Sequence, residues 1–393
     1  MKILLTLILC LLPLLPTHSE VIRVVGPDYT IDLPEGWHSV NTYNSKSDAW
    51  DVSFANAFNS AFLNIVTFPA NRFKSSTEMC EYVKKNLKAQ GDYAEFLFSG
   101  MDATLADFRF KTKKREERGY FVFINGKTYD YALLSFTDIR IYKRNKEEIL
   151  SAIDSFSPKS DNARLFPGPI GQFFYPATTE QTPPKNPVVK SIKIGNATYR
   201  VAFDKEEISA TQVLVEREAR ILTHYRGGTP LATAAWKRFY RMIYRETYHR
   251  LDTLYNTTIG KKTLGTTWQA KIKTLKNILQ WIQGFTYSRT NTISDLLSPL
   301  ATAFNQSGDC DSRSLLLIIL AHHMGIDSIL LISSKYSHSA VGLGIPVKGA
   351  TITFKNKPYI YTETTDKVDI GMVPKKMADP SGWIGVKLSF SNK

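Results

Sequence analysis

The chain has 393 residues, of which 43% are hydrophobic and 22% charged, and it carries a formal net charge of +14. This length allows two domains with separate cores, and the composition excludes a largely disordered chain. The positive charge is spread along the sequence, for example at 111–115, 238–250 and 375–376. No nucleic-acid reader motif accompanies it, so we exclude nucleic acid as a partner. We interpret these residues as attracting anionic envelope polymers or lipid head groups, with an ordinary solvated surface as the alternative.

Residues 1–19 have the pattern of an export signal. Lys2 precedes an apolar run over 3–15, and Thr17 and Ser19 stand at the positions expected before a cleavage site. The run is interrupted by Pro13 and is too short to cross a bilayer. We therefore expect an extracytoplasmic protein, in the periplasm or secreted, with at most peripheral association with the envelope.

The chain has 3 cysteines. Cys10 lies in the signal, and Cys80 and Cys310 fall in different predicted domains, so no disulfide framework is expected. We interpret Cys80 as a buried, inert thiol within a helix. A cysteine kept in an oxidising compartment and followed by a histidine and an acid favours a nucleophile, which is our interpretation of Cys310.

Residues 20–158 predict a small α+β domain. Strand composition recurs between turn residues. The predicted strands are 21–25, 29–33, 52–55, 62–67, 106–111, 120–124 and 129–135. One helix begins at Ser75, with Glu78 in a capping-box position, and ends near Gly91; a second covers 145–156.

Two motifs of this region carry a resemblance. Residues 29–37 read YTIDLPEGW, and the second helix closes with DSFS at 154–157. Both resemble PsbP-like domains, which are small α+β modules of exported bacterial and chloroplast proteins. The resemblance implies an accessory or binding role for this third of the chain and transfers no active site.

Residues 159–190 are rich in proline, glycine and polar residues and predict a linker. Residues 191–393 predict a second α+β domain. It begins with a hairpin at 191–201, followed by helices at 234–255, 268–285 and 311–324. Strands are predicted at 328–333, 339–345, 351–354 and 359–362.

The chemistry centres on Cys310, placed where a polar turn becomes the helix 311–324. A helix N-terminus offers free N–H groups and a partial positive charge, and both favour a thiolate. His338 follows at the start of one predicted strand and Glu363 at the end of another. A nucleophilic cysteine needs a base and a group that orients that base, so these three residues predict a Cys-His-acid triad.

Asp309 and Asp311 flank the cysteine and disfavour a second negative charge beside them. Their carboxylates have two alternative roles, capping the helix or pairing with Arg313.

The surrounding sequence resembles the transglutaminase-like superfamily of papain-fold cysteine enzymes. The resemblance lies in GDCDSRSLLL at 308–317, HHMGID at 322–327, SHSAV at 337–341 and the segment 359–365. It implies that Cys310 is the nucleophile, His338 the base and Glu363 the acid. Gln283, within WIQGF at 281–285, matches a glutamine that lines the oxyanion site in related sequences. The acid is commonly aspartate in that superfamily, and Asp366 is the competing candidate here.

These residues predict a cysteine hydrolase or acyltransferase that acts on peptide or amide bonds through a thioester. Hydrolysis is favoured over transfer, because water is the default acceptor, and the expected partner is a protein or peptide substrate. The adjacent His322 and His323 point in different directions and lack companion ligands, so no metal or other cofactor is expected. The alternative is an envelope binding or assembly protein that retains the fold without activity.

Overall fold

The computed structural model describes residues 29–44, 49–112, 115–158, 166–177, 184–260 and 265–388. The export signal at 1–19 and the strand expected at 21–25 lie outside these residues. The described chain has the predicted α+β architecture, with two large antiparallel sheets and helices packed on both. No helix in the described ranges is long and apolar enough to cross a membrane.

The first large sheet has seven strands in the order β2-β3-β4-β8-β7-β6-β5. Its strands are β2 (His38–Asn44), β3 (Trp50–Ala55), β4 (Ala61–Pro69), β5 (Gln90–Phe98), β6 (Met101–Lys111), β7 (Glu116–Asn125) and β8 (Tyr129–Asp138). A short strand β1 (Tyr29–Thr30) pairs instead with β9 (Ser157–Pro158).

Two helices cover opposite faces of this sheet. Helix α1 (Ser76–Leu87) begins where the Ser75 hydroxyl accepts a hydrogen bond from the Glu78 N–H, 3.1 Å away, as the capping pattern predicts. It buries Cys80, and this burial raises the pKa of the thiol to about 12. Helix α2 (Tyr142–Asp154) packs Ile149 and Ile153 into the hydrophobic core on the other face of the sheet.

Besides the two-residue strand β9, two strands and one helix here were not predicted. Strand β5 escaped the pattern because it is a sheet edge exposed along most of its length, so its residues do not alternate between polar and apolar. Strand β2 is the opposite edge. Helix α3 (Pro169–Phe174) lies inside the segment expected as a linker and packs on α2 and β5. The domain boundaries at 158 and 190 stay predictions.

The rest of the chain begins with the expected hairpin, β10 (Pro187–Ile194) and β11 (Ala197–Asp204). Its helices are α4 (Lys205–Leu222), α5 (Pro230–Thr247), α6 (Asp252–Thr258), α7 (Trp268–Gln283), α8 (Pro299–Asn305) and α9 (Cys310–His323). The single helix expected at 234–255 is thus interrupted by a 3-10 turn at His249–Leu251.

Helix α9 lies at the centre of this part of the molecule. Residues 314–321 are buried without interruption, which is the pattern of a helix enclosed on every side. It packs on the second large sheet, whose order is β14-β15-β13-β12-β16. The strands are β12 (Ser328–Ser333), β13 (His338–Leu343), β14 (Thr351–Phe354), β15 (Lys357–Thr362) and β16 (Ile384–Val386).

The arginines of α5 and the turn that follows it correct the expected basic surface. The sequence places 238–250 among the solvent-facing positive charges, but four arginines there are at most 6% exposed: Arg238, Arg241, Arg245 and Arg250. They pair with carboxylates or backbone carbonyls, so they add nothing to a surface for anionic partners.

Candidate active site

Cys310 is the first residue of α9 and is 5% exposed. Asp309 caps the helix, since its Oδ1 accepts hydrogen bonds from the N–H and the hydroxyl of Ser312 at 2.9 and 2.7 Å. Capping is therefore the role that the structure gives Asp309. The thiol consequently lies where the unpaired N–H groups of the first helical turn concentrate positive potential.

Arg313 fixes the turn before the cysteine and does not pair with Asp311. Its guanidinium donates to the carbonyls of Gly308 and Phe285, both at 2.9 Å. Gly308 has a φ of +154°, and a Cβ on it would lie 2.9 Å from the Cβ of Ser312. Any larger residue there would displace the start of α9 and with it Cys310.

Strand register brings His338 and Glu363 to one face of the second sheet. Strands β13 and β15 are antiparallel, with Val341 opposite Thr362. Continuing this register sets Glu363 opposite the residue two positions after His338. Both side chains therefore project from the same face as diagonal neighbours. The tip of α9 faces them, because α9 packs on β13.

His338 contacts both of the other predicted triad residues. Its Nε2 donates to Glu363 Oε2 at 2.9 Å, and its ring also shares a hydrogen bond with Cys310. Because Nε2 is taken by the acid, Nδ1 is the nitrogen left for the thiol. Burial opposes the imidazolium, but the hydrogen bonds to Cys310 and Glu363 outweigh it and raise the pKa of His338 to about 10.

Glu363 is 2% exposed and is surrounded by donors. Its Oε2 accepts from Tyr361 at 3.0 Å as well as from His338, and its Oε1 accepts from the N–H groups of Thr364 and Thr365 and the Thr365 hydroxyl. Burial alone would raise the pKa of this carboxyl. The bond to His338 and the backbone bond from Thr365 reverse that effect and lower the pKa to about 2.

Asp366, the competing acid, is exposed, whereas Glu363 holds the hydrogen bond to the imidazole.

The hydrogen bond from Tyr361 to Glu363 was not predicted from the sequence, although a signal existed. Tyr361 stands two residues before Glu363, and residues two apart on a strand share a face.

Gln283 is the last residue of α7 and is buried. Its side-chain amide donates to the backbone carbonyls of Glu363 and Val368, at 3.0 and 2.9 Å. An amide group carries two hydrogens, so both are used. These bonds tie the end of α7 to the segment that carries the acid, and the oxyanion role implied by the resemblance stays a prediction.

Trp383 encloses the site and had no signal in the sequence, because no helical or strand pattern precedes it. Its ring centroid lies 6.3 Å from that of His338 and 5.5 Å from that of Tyr361. Its indole N–H donates to the Met377 carbonyl at 3.0 Å, which fixes the ring against the pair. Such an apolar wall limits the access of water to the His338–Glu363 bond.

A second carboxylate, Asp311, lies next to Cys310 and accepts a hydrogen bond from the Tyr240 hydroxyl. Trp236 in turn donates to that hydroxyl at 3.1 Å. Burial and the nearby Asp309 raise the pKa of Asp311 to about 6, against the effect of the hydroxyl groups of Ser339 and Tyr240 and of the positive charge on His338.

Asp309, Cys310 and Asp311 also hold their potential metal-ligand atoms within 4.8 Å of one another. All three side chains are already engaged inside the protein, by Ser312, His338 and Tyr240 respectively. The two adjacent histidines lie outside this group: His322 bonds to the Ser328 carbonyl and His323 to the Tyr248 carbonyl.

No protein-family model matches the sequence, and no curated protein matches it. Among solved structures, cyanobacterial PsbP from Synechocystis sp. PCC 6803 is 12% identical, with a TM-score of 0.31, over 36% of this chain and 94% of that one. PA94 of Pseudomonas aeruginosa, described as a putative regulator of unknown function, is 13% identical, with a TM-score of 0.22, over 36% and 98%. A protein of Bacteroides thetaiotaomicron VPI-5482 is 9% identical, with a TM-score of 0.25, over 58% and 76%.

Proposed function

We propose that this protein is an exported, transglutaminase-like cysteine hydrolase that cleaves peptide or amide bonds through Cys310, His338 and Glu363. One observation carries the proposal: His338 joins a buried carboxylate on one side and, on the other, a cysteine at the start of a helix. This is the arrangement in which a thiol is activated and the activating imidazole is held in a single orientation.

The charge state of the histidine supports this function. With a pKa of about 10, the His338 imidazolium prevails at neutral pH, and its positive charge favours a neighbouring thiolate. Glu363, with a pKa of about 2, keeps the negative charge that stabilises this imidazolium. The two partners thus shift each other toward the ionised forms that the nucleophile needs.

The reaction follows from these positions. The Cys310 sulfur forms a bond to the carbonyl carbon, and the oxygen that becomes negative is stabilised by N–H groups at the start of α9. His338 gives its proton to the leaving nitrogen, the carbon–nitrogen bond breaks, and the amine departs from a thioester. His338 then takes a proton from water as the water attacks the thioester, and the thiolate leaves.

The substrate class we propose is a protein or peptide outside the cytoplasm. The remaining exposed basic residues and the domain built on the first sheet would bring the enzyme to an anionic envelope polymer. An inactive binding protein with the same fold would have an unreactive Cys310.

The alkylation rate of Cys310 by iodoacetamide, measured against pH, tests the proposal. Peptide mapping separates it from Cys80, a matched internal control whose buried thiol has a pKa of about 12. We expect fast alkylation of Cys310 well below the ordinary thiol pKa of about 8.5, and its loss in His338→Ala.

A slow rate that rises only near that ordinary pKa, and that is indifferent to His338→Ala, would exclude the catalytic pair and favour the binding role. If the pair is reactive, Cys310→Ser supplies the second control, since it must abolish hydrolysis of peptide substrates while leaving the circular dichroism spectrum unchanged.

A further inference from the structure

A buried ionic seam joins the domain of the seven-stranded sheet to helices α4 and α5. We define it by six side chains: Asp32, Asp154, Arg217, Glu218, Arg238 and Arg241. None is more than 8% exposed. It contains as many carboxylates as guanidinium groups, so its formal charges cancel.

The contacts across the seam are short and directional. Arg241 holds both oxygens of Asp32, at 2.7 and 2.8 Å. Arg217 bonds Asp154 at 2.7 Å, and Arg238 donates to the Asp32 carbonyl at 2.7 Å. Paired guanidinium–carboxylate bonds fix orientation as well as distance, so α5 is held in one position against the first domain.

A neighbouring face of α5 contacts the nucleophile helix. The Tyr240 hydroxyl bonds Asp311 in the first turn of α9, and the Tyr244 hydroxyl bonds His322 in its last turn, at 2.6 Å. Tyr240 immediately precedes Arg241 on α5, so a shift of the helix backbone at the arginine also moves the phenol. Helix α5 therefore connects the ionic seam to the residue beside Cys310.

We propose that the first domain is a fixed brace for the nucleophile helix, and that Asp32 is a positioning residue which acts on the site through Arg241 and Tyr240. As a statement about the catalytic site, this rests on the proposed function. It adds a structural task at the site to the accessory or binding role that the sequence implies for the first domain.

The brace acts through the charge of Asp311. Besides Tyr240, this carboxylate faces Asp309 and Cys310 at the start of its own helix, and the Ser339 hydroxyl and His338 imidazole on β13. Tyr240 donates to the ionised carboxylate and so favours its charged form. If α5 shifts, this donor is lost and the pKa of Asp311 rises. The negative charge beside the Cys310 sulfur then appears only at a higher pH.

The test is the pH profile of Cys310 alkylation in the full-length chain, where we expect the titration of Asp311 to give an inflection near pH 6. We expect Asp32→Asn to move this inflection upward by about one pH unit, the loss of one hydrogen bond to a charged group. Tyr240→Phe should give the same shift. Combining the two should give no further shift, because both remove the same contact.

Asp107→Asn is the matched control. It breaks the ion pair between Asp107 and Arg118, whose charged atoms lie 2.8 Å apart. This pair belongs to the same domain, but it is partly exposed and lies on the sheet rather than in the ionic seam. We expect Asp107→Asn to leave the profile unchanged. Because Asp32→Asn leaves a buried guanidinium unpaired and risks unfolding, Arg241→Lys provides a second variant that keeps the charge and loses the two-pronged bond.

A folded Asp32→Asn or Arg241→Lys variant with the wild-type profile would overturn the proposal, and so would shifts that add in the double variant. Failure of the proposed function has a different signature: slow alkylation of wild-type Cys310 that is indifferent to His338→Ala. The inflection reports the charge of Asp311 beside the sulfur whether alkylation is fast or slow, so the two failures are distinguishable.

Discussion

The predicted triad and the ionic seam both bury opposite charges at hydrogen-bond distance, yet they use different chemistry. In the triad, His338 Nε2 lies 2.9 Å from Glu363 Oε2. In the seam, Arg241 Nε lies 2.7 Å from Asp32 Oδ2. Imidazole and thiol exchange protons in the biological pH range, whereas a guanidinium does not. A buried pair that can titrate indicates chemistry, and one that cannot indicates a fixed orientation.

The largest expected effect comes from breaking the seam. Asp154→Ala leaves Arg217 without this partner and also removes the acceptor of the Ile170 and Gly171 N–H groups at the start of α3. Arg217 keeps Glu218 at 2.8 Å, but the seam is left with three guanidinium groups and two carboxylates. A buried charge without compensation costs about 3–5 kcal/mol of unfolding free energy. Urea denaturation of the full-length variant measures this loss.

Asp107→Ala breaks a partly exposed pair and should cost about 1 kcal/mol or less. Equal losses from Asp154→Ala and Asp107→Ala would contradict the distinction between a buried seam and an ordinary surface pair.

A second prediction contrasts two histidines. Burial lowers the pKa of His322 to about 4, below the ordinary 6.5, whereas hydrogen bonding raises that of His338 to about 10. The unfolded chain therefore binds more protons at position 322 between pH 6.5 and 4. Stability from His322 is present above pH 6.5 and falls by about 3 kcal/mol as the pH drops through about 4.

The sign is opposite for His338, whose contribution is complete below pH 6.5 and is lost as the pH rises through about 10. Unfolding free energy measured from pH 4 to 8 should vary less steeply in His322→Gln than in the wild type. The exposed His38→Gln is the control and should retain the wild-type slope. A wild-type slope in His322→Gln would show that this imidazole is not buried in its neutral form.

The third prediction concerns the acid of the triad. Glu363→Gln removes the negative charge that favours the His338 imidazolium, so the pKa of His338 falls. A hydrogen bond to a charged group contributes about 1.5–3 kcal/mol, so alkylation of Cys310 at pH 6 should slow about 10- to 100-fold.

Asp366→Asn is the matched control for this experiment, since Asp366 was the competing acid and is exposed. Its alkylation rate should stay at the wild-type value. A large loss in Asp366→Asn with little loss in Glu363→Gln would reverse the assignment.

What could be predicted from the sequence follows the strength of local signals. Strands at 328–333 and 351–354 were predicted at their observed bounds, because apolar and β-branched runs there end at turn residues. Helix α4 was missed because buried Arg217 and Glu218 interrupt its apolar pattern, and a charge in a sequence is normally assigned to solvent. The seam was invisible for the same reason.

The residues of the candidate site differ in the same way in how far the sequence predicts their contacts. Cys310, His338 and Glu363 each stand at or beside the end of an element with a clear pattern, and strand register alone brings the last two together. Gln283 lies at the end of α7, and its partners come from the segment after β15, a long-range contact with no local signature. Its hydrogen bonds could not be inferred from spacing.

The smallest predicted effect tests whether the hydrogen bonds around Glu363 act on the site or only on stability. Tyr361→Phe removes one donor to Oε2, while Thr364 and Thr365 still donate to Oε1. The acceptor is an ionised carboxylate that keeps its bond to His338, so we expect the loss to weaken the triad by about 1 kcal/mol and to slow Cys310 alkylation about fivefold. Tyr359→Phe is the matched control, since Tyr359 lies on the same strand and donates to Asp327 at 3.0 Å, away from the cysteine. Because both variants lose one phenol–carboxylate bond, they should be destabilised alike, and only Tyr361→Phe should alter the reactivity of the thiol. Equal alkylation rates in the two variants would place Tyr361 with the structural contacts of the sheet rather than with the triad.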